Sequence, residues 1–217
     1  MIDTLFLVGL FGVAFLYASV GHGGASGYLG WMAIHGVDSS LMKPTALTLN
    51  CFVSLASFVG YVRAGYLDLK RLWPFILTSI PAAYLGGATS LNEEWYQLIL
   101  GVCLLLASMR MFFSVSSITW LSNRFPFHVS LAMPVGFGIG WVSGVIGIGG
   151  GVFLSPVLVL MGWATVKEAA AISSAFVFLN SVSALLGSGD FMTVLTQRGD
   201  WILVALIGGI LGSYFGS

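Results

Sequence analysis

Gly147-Ile148-Gly149-Gly150-Gly151 is a glycine cluster in the second half of the chain, and Gly21-His22-Gly23-Gly24 is a similar cluster in the first half. Each cluster follows an uncharged apolar run and precedes a short apolar segment, 152–162 in the second half and 26–36 in the first. A helix that crosses the hydrocarbon core of a bilayer needs about 20 residues. Each short segment is therefore predicted to form a half-helix that begins at a glycine break.

The composition assigns the chain to the membrane proteins. Of its 217 residues, 58% are hydrophobic and 7% are charged, whereas soluble domains carry about 25% charged residues. Long apolar runs favour α-helices over a barrel, because barrel strands alternate apolar and polar residues. The net charge of zero excludes the basic surface typical of a nucleic-acid-binding protein. We therefore predict an all-α integral membrane protein that crosses the cell membrane several times.

The apolar segments follow one another closely, which leaves no room for a soluble domain. The charged residues are concentrated in the connections between them. The predicted segments are 4–20, 26–36, 44–62, 72–91, 95–115, 127–146, 152–162, 168–187 and 200–216.

The two halves of the sequence resemble each other beyond the glycine clusters. A similarity that recurs at a fixed period over most of both halves indicates an internal duplication. We predict a first membrane repeat at 1–115, a connecting loop at 116–126 and a second membrane repeat at 127–217. The second repeat is predicted to lack its last helix, because no segment corresponds to 95–115; a shorter protein and a truncated chain both fit. The matched positions are Gly21, Gly23 and Gly24 with Gly147, Gly149 and Gly150; Gly36 with Gly162; Thr48 with Ser173; Asp68 with Asp200; and Tyr84-Leu85-Gly86 with Tyr214-Phe215-Gly216.

The second repeat is predicted to be inverted relative to the first. A full repeat has five spans if every segment crosses the membrane, and three if each half-helix folds back in a hairpin. Both counts are odd and therefore invert the second repeat, whereas one span plus one re-entrant segment would give parallel repeats. Either odd count places Lys43 and Arg198 on one side and the other basic residues on the side that the positive-inside rule makes cytoplasmic. Those residues are Arg63, Lys70, Arg71, Arg110, Arg124 and Lys167. The parallel arrangement also splits the basic residues six to two, so the charges do not choose among the counts.

A glycine break inside the membrane exposes backbone N–H groups that lipid cannot satisfy. The N-terminus of the half-helix that follows carries a partial positive charge and binds anions through these groups. Two such ends meeting at the midplane would form a cradle for a small anion, although glycine in membrane helices also serves close helix packing. The predicted substrate-binding residues are Gly21, His22, Gly23, Gly24, Thr48, Gly147, Gly149, Gly150, Gly151 and Ser173.

The side chains among these candidates have alternative roles. His22 is predicted to donate to the anion or to carry a coupled proton, because a histidine titrates near neutral pH and ionisable groups inside membranes are usually functional; a uniporter without proton coupling is the other possibility. The alternative is that His22 caps a freed carbonyl of the break. The hydroxyls of Thr48 and Ser173 either complete the anion shell or bond the preceding helical turn; Asn50 and Asn180 rank below them. Arg63 is a candidate for attracting anions at the cytoplasmic mouth, or it sets topology alone.

The glycine cluster at 147–151 with Pro156, Lys167 and Ser173-Ser174 resembles the TauE/SafE sulfite-exporter family of membrane transporters. Thr48, Arg63, Gly65, Asp68 and Tyr84-Leu85-Gly86 extend the resemblance to the first half. It implies transport of sulfite, a sulfonate or sulfoacetate across a prokaryotic cytoplasmic membrane. The first cluster departs from the family pattern, because Ala25 and Gly30 stand where Gly151 and Pro156 stand in the second.

We therefore predict a transporter that exports a small sulfur-containing anion by alternating access. An anion channel or a membrane scaffold subunit is the alternative. An intramembrane hydrolase using Ser26 or Ser188 with His22 is disfavoured, because the second repeat has no counterpart of such a pair. We expect no enzyme activity, cofactor, metal ion or nucleic acid, and the oligomeric state stays open.

Overall fold

A computed structural model describes residues 4–112, 126–189 and 191–216, and every regular element in this part of the chain is an α-helix. The predicted all-α fold is confirmed. The described residues form ten helices in chain order. They are α1 (Thr4–Ser19), α2 (Ala25–Ile34), α3 (Ser39–Arg63), α4 (Leu69–Ala88), α5 (Glu93–Phe112), α6 (Val129–Ile146), α7 (Gly151–Leu160), α8 (Val166–Ser188), α9 (Phe191–Gln197) and α10 (Gly199–Gly216).

The helix lengths fit a protein that crosses a membrane several times. Four helices of the described part, α3, α6, α8 and α10, are long and apolar enough to span a bilayer. The predicted half-helices are confirmed, since α2 and α7 contain 10 residues each. The short helix α9 was not predicted, because its seven residues include two threonines and a glutamine and show no long apolar run. Most of the predicted connecting loop at 116–126, including Arg124, lies outside the described residues.

Helices α4 and α6 pack through a seam of glycines. Gly136 and Gly140 on α6 lie against the backbone of Phe75 and Ser79 on α4, and a methyl group added to either glycine would lie 2.6 Å from a carbonyl oxygen. Close backbone contact at small residues replaces the hydrophobic driving force that membrane helices lack. Residue numbers rise together along both helices, so α4 and α6 run parallel.

Helices α1 and α10 form a second seam of the same kind. A methyl group added to Gly208 would lie 2.7 Å from Phe11 O, and one added to Gly212 would contact Phe15 O. Residue numbers again rise together, so this pair is also parallel. Each seam joins one helix from the first half of the chain to one from the second half.

Charged contacts define the two ends of the bundle. Arg71 at the start of α4 pairs with Glu168 at the start of α8, at 3.2 Å. At the other end, Lys43 near the start of α3 donates to the carbonyls of Gly87 and Thr89 at the end of α4. Helix α3 therefore runs antiparallel to both α4 and α8.

The basic residues with described side chains lie in two groups at opposite ends of α3. Arg63, Lys70 and Arg71 flank the short connection from α3 to α4, and Lys167 stacks on Tyr66 in that connection at 4.9 Å. Lys43 lies at the opposite end of α3, and so does Arg198. Contacts from Arg198 through Trp201 and Phe6 to His35, near the start of α3, place it there. The side chain of Arg110 lies outside the description.

Candidate functional site

Each glycine cluster first ends the helix that precedes it. The N–H of Gly147 donates to Ser143 O at 2.8 Å, and its φ of 92° is a conformation that favours glycine. In the first half, the N–H of Gly21 donates to Ala18 O at 3.1 Å, with a φ of 75°. These two predicted site glycines therefore shape the helix breaks, and their N–H groups are already engaged.

The next glycines begin the half-helices. Gly24 precedes α2 with a φ of 94°, and Gly150 precedes α7 with a φ of 84°. Among the described residues, no side chain caps either half-helix, and no hydrogen bond is donated by the N–H of Gly23, Gly24, Gly149 or Gly150. The ends of α2 and α7 therefore present unpaired N–H groups with a partial positive charge.

Both clusters pack against the same two side chains at the centre of the bundle. Asn50 on α3 and Val177 on α8 are fully buried, with 0% and 1% of their surface exposed. A methyl group added to Gly149 would lie 2.5 Å from Asn50 Nδ2 and 2.9 Å from Val177. One added to Gly23 would contact the Asn50 amide and lie 2.7 Å from Val177. The two half-helix N-termini therefore converge on Asn50 and Val177.

His22 belongs to a buried hydrogen-bonded chain that joins the two halves of the protein. Its Nε2 lies 3.1 Å from Ser155 Oγ on α7, and Ser155 Oγ lies 2.7 Å from Ser173 Oγ on α8. Its Nδ1 lies 3.0 Å from the carbonyl oxygen of Val20. Because a carbonyl oxygen only accepts, Nδ1 donates to it, and Nε2 shares the hydrogen bond with the Ser155 hydroxyl. His22 thus contacts a carbonyl of its own break and also reaches the second half.

Two further predicted site residues occupy different surroundings. Gly151 begins α7 beside this chain, since a methyl group there would lie 2.5 Å from Val177 and 3.5 Å from His22 Cδ2. The hydroxyl of Thr48 is buried but donates to Pro44 O at 2.8 Å, so it satisfies the preceding turn of its own helix. Of the paired residues Thr48 and Ser173, the structure therefore brings only Ser173 into the hydrogen-bonded chain.

Arg63 lies far from the glycine clusters. It is exposed at the end of α3, 13 residues after Asn50, and helix geometry separates the two by about 20 Å along the axis. Ser26, the serine paired with His22 in the hydrolase alternative, donates instead to the Tyr17 hydroxyl at 3.0 Å.

A cavity of about 980 Å³ opens at the Lys43 end of the bundle, between the start of α3, the end of α4 and the first half of α5. Lys43 Nζ lies in its wall and donates to the carbonyls of Gly86, Gly87 and Thr89 at 3.3, 2.9 and 3.1 Å. The backbone of Lys43 packs against Gly147, where an added methyl group would lie 3.1 Å from Lys43 O. The cavity thus approaches the second glycine cluster.

Three residues of this region were not among the sequence candidates. Lys43 lies in the wall of the cavity, Ser155 links His22 to Ser173, and Ser181 Oγ lies 3.0 Å from a methyl group added to Gly149. The available signal for Ser155 was its position four residues after Gly151, one helical turn into the half-helix. Ser181 follows Asn180 and had no signal of its own.

Comparison of the sequence with known proteins identifies a family and two relatives. The sequence model of the family described as Sulfite exporter TauE/SafE matches residues 5–217. The chain is 35% identical over 215 residues to the probable membrane transporter protein y4hK of Sinorhizobium fredii (strain NBRC 101917 / NGR234), covering 97% of this chain and 86% of the relative. It is 22% identical over 190 residues to the probable membrane transporter protein YunE of Bacillus subtilis (strain 168), covering 79% of this chain and 67% of that relative. No solved structure matches. The chain therefore belongs to the TauE/SafE sulfite exporter family of membrane transporters.

Proposed function

We propose that the protein exports a small sulfur-containing anion, of the sulfite, sulfonate or sulfoacetate type, across the cytoplasmic membrane. The observation that carries this proposal is the convergence of two half-helix N-termini on Asn50 and Val177. Backbone N–H groups at helix N-termini bind anions without a charged side chain, which suits a centre built from glycine and uncharged polar residues. The family description as sulfite exporters supports the substrate class and the direction.

In this proposal, the anion accepts hydrogen bonds from the N–H groups of Gly23 and Gly24 in the first cluster and of Gly149, Gly150 and Gly151 in the second. Gly21 and Gly147 contribute by turning the chain. These donors are fixed by the backbone, so their orientation requires little reorganisation when the anion binds.

We propose that His22 couples proton binding to anion binding. When the ring is neutral, Ser155 donates to His22 Nε2, and Ser173 must then donate to Ser155, opposite to the direction from Ser155 to Ser173 that the structure has. A proton on Nε2 reverses both bonds, and Ser173 then accepts from Ser155. The hydroxyl proton of Ser173 becomes available to an anion, while the imidazolium adds a positive charge beside the cradle.

The packing supports alternating access by inverted repeats. The α4–α6 and α1–α10 seams are both parallel. In the proposed repeats 1–115 and 127–217, α1 corresponds to α6 and α4 corresponds to α10. Exchanging the two repeats therefore converts one seam into the other. Helices α3 and α8, which occupy corresponding places, run antiparallel. A cavity of about 980 Å³ opens at the Lys43 end, and a smaller one of about 500 Å³ lies at the opposite end, beside the Glu168 that pairs with Arg71. We assign the Arg71 end to the cytoplasm and Arg63 to its mouth, where it attracts anions.

Counterflow in proteoliposomes tests the proposal. Vesicles preloaded with unlabelled sulfite should accumulate labelled sulfite transiently above equilibrium, because a carrier that alternates between two states exchanges one anion for another. An anion channel would equilibrate the label without this overshoot. A scaffold subunit would give no protein-dependent flux, and either result would overturn the proposed mechanism.

A further inference from the structure

Asn50 presents an unpaired hydrogen-bond acceptor where the two glycine clusters meet. Its Nδ2 donates to Ile148 O at 3.2 Å, which fixes the orientation of the amide. Its Oδ1 faces Gly23 and, among the described residues, receives no hydrogen bond. Ser181 Oγ, beside Gly149, is also buried without a partner in the described part of the chain.

An unpaired buried acceptor weakens the binding of any ligand that cannot donate to it. A fully deprotonated oxyanion has only acceptors, so it satisfies the N–H groups of the half-helices but leaves Asn50 Oδ1 desolvated. An anion with a hydroxyl or ammonium group satisfies both, because its anionic oxygens accept from the backbone and its own proton is donated to Asn50. Sites with a buried hydrogen-bonding group discriminate strongly against analogues that lack the complementary group.

We propose that Asn50 is a specificity-determining residue that selects anions carrying their own hydrogen-bond donor. The substrate class is then hydrogen sulfite or a hydroxy- or ammonio-alkanesulfonate, and donor-free sulfonates bind more weakly. This inference rests on the proposed anion site at the half-helix N-termini. Asn50 lies within that site but is not one of its anion donors, because its Nδ2 is engaged by Ile148.

A matched pair of ligands isolates the effect of the donor. 2-Hydroxyethanesulfonate and ethanesulfonate share the sulfonate group and differ in one hydroxyl. Titration calorimetry on the purified full chain at neutral pH should give the hydroxylated anion at least about tenfold tighter binding, since an unsatisfied buried acceptor costs about one such factor or more. Asn50→Leu should reduce this ratio to about one, even if loss of the Asn50–Ile148 bond weakens the binding of both anions.

Two further variants keep the inference falsifiable. Asn180→Leu is the matched control, because Asn180 is also buried and its amide is also unpaired among the described residues, but it is not among the atoms nearest to a methyl group added at any glycine of the two clusters. It should keep the wild-type ratio. Asn50→Asp retains an acceptor and should keep the ratio even if both affinities fall; loss of the ratio in this variant would overturn the inference even if Asn50→Leu does not fold.

The outcomes separate the inference from the proposed function. Equal affinities in the wild-type protein, or a ratio that survives Asn50→Leu, would overturn the role of Asn50 and leave the anion site standing. Loss of the ratio in Asn180→Leu would also overturn it, since the selectivity would then not belong to Asn50. Binding of neither sulfonate would contradict both the inference and sulfonate transport.

Discussion

Gly149→Ala is expected to stop transport, whereas a control with the same backbone conformation is not. Gly149 and Gly189, which follows the end of α8, both have a φ of 76°. A methyl group at Gly149 would lie 2.5 Å from Asn50 Nδ2 and 3.0 Å from Ser181 Oγ, whereas one at Gly189 would meet nothing within 4 Å. The two substitutions therefore share the backbone strain and differ in their contacts with the site.

The expected losses of stability follow from these contacts. A left-handed conformation costs a non-glycine residue about 1–2 kcal/mol, which is the whole expected loss for Gly189→Ala. Overpacking of a filled interior adds about 1–3 kcal/mol, so Gly149→Ala should lose about 2–5 kcal/mol. If Asn50 moves to relieve the clash, it gives up its hydrogen bond to Ile148 O, and the second cluster loses its support.

The assay combines the free energy of unfolding with sulfite counterflow in proteoliposomes, at a temperature where both variants remain folded. Gly189→Ala should transport as the wild type does. Gly149→Ala should lose at least about tenfold in flux, because 1.4 kcal/mol of lost binding is already one factor of ten. Equal flux in the two folded variants would refute the assignment of Gly149 to the substrate site and favour a packing role for the glycine.

Four other substitutions test separate contacts. Ser155→Ala removes the hydroxyl that His22 Nε2 contacts, so it should lower the free energy of unfolding by about 1–3 kcal/mol. It should also remove the pH dependence of flux. Unchanged pH dependence would contradict proton coupling through the hydrogen bonds of His22, Ser155 and Ser173. Lys43→Gln weakens three bonds to the end of α4 and should cost about 1–3 kcal/mol of unfolding free energy, with Lys70→Gln as an exposed control. Asp68 accepts from the N–H groups of Lys70 and Arg71 as the N-cap of α4, so Asp68→Ala should cost about 1 kcal/mol; no change in thermal unfolding would argue against the cap. Hydrogen bonds from the Ser40 side chain and backbone hold the pKa of Asp38 below its usual value. The ionised Asp38 carboxylate stabilises the folded protein at pH values above its pKa in the unfolded state. This contribution is lost as the pH falls through the pKa of Asp38 in the folded state. Asp38→Ala should therefore flatten the decline in the free energy of unfolding below about pH 4.

The half-helices could be predicted because their signals are local. A glycine break followed by an apolar segment too short to span a bilayer is visible in the sequence, and α2 and α7 begin and end close to the predicted residues. Asp68 precedes an apolar run and caps α4, whereas its matched residue Asp200 lies within the first turn of α10.

The contacts between the halves could not be predicted, because they join residues far apart in the chain. The bond from Asn50 to Ile148 spans 98 residues, and the one between Ser155 and His22 spans 133. The pairing of Thr48 with Ser173 stays a prediction. Asn50 and Val177, which both glycine clusters contact, were not among the matched positions of the sequence. Helix packing, rather than residue identity, decides which side chains face the centre.

Thermal unfolding of the purified protein against a panel of anions tests the central claim most directly. A ligand that binds only the folded state adds about 2.7 kcal/mol of stability at 100 times its Kd. We expect this gain in the free energy of unfolding with sulfite or a sulfonate in the wild type and in Gly189→Ala. Gly149→Ala, at a temperature where it remains folded without the anion, should show no gain. Stabilisation by none of the sulfur anions, or by cations alone, would contradict an anion site at the paired glycine clusters.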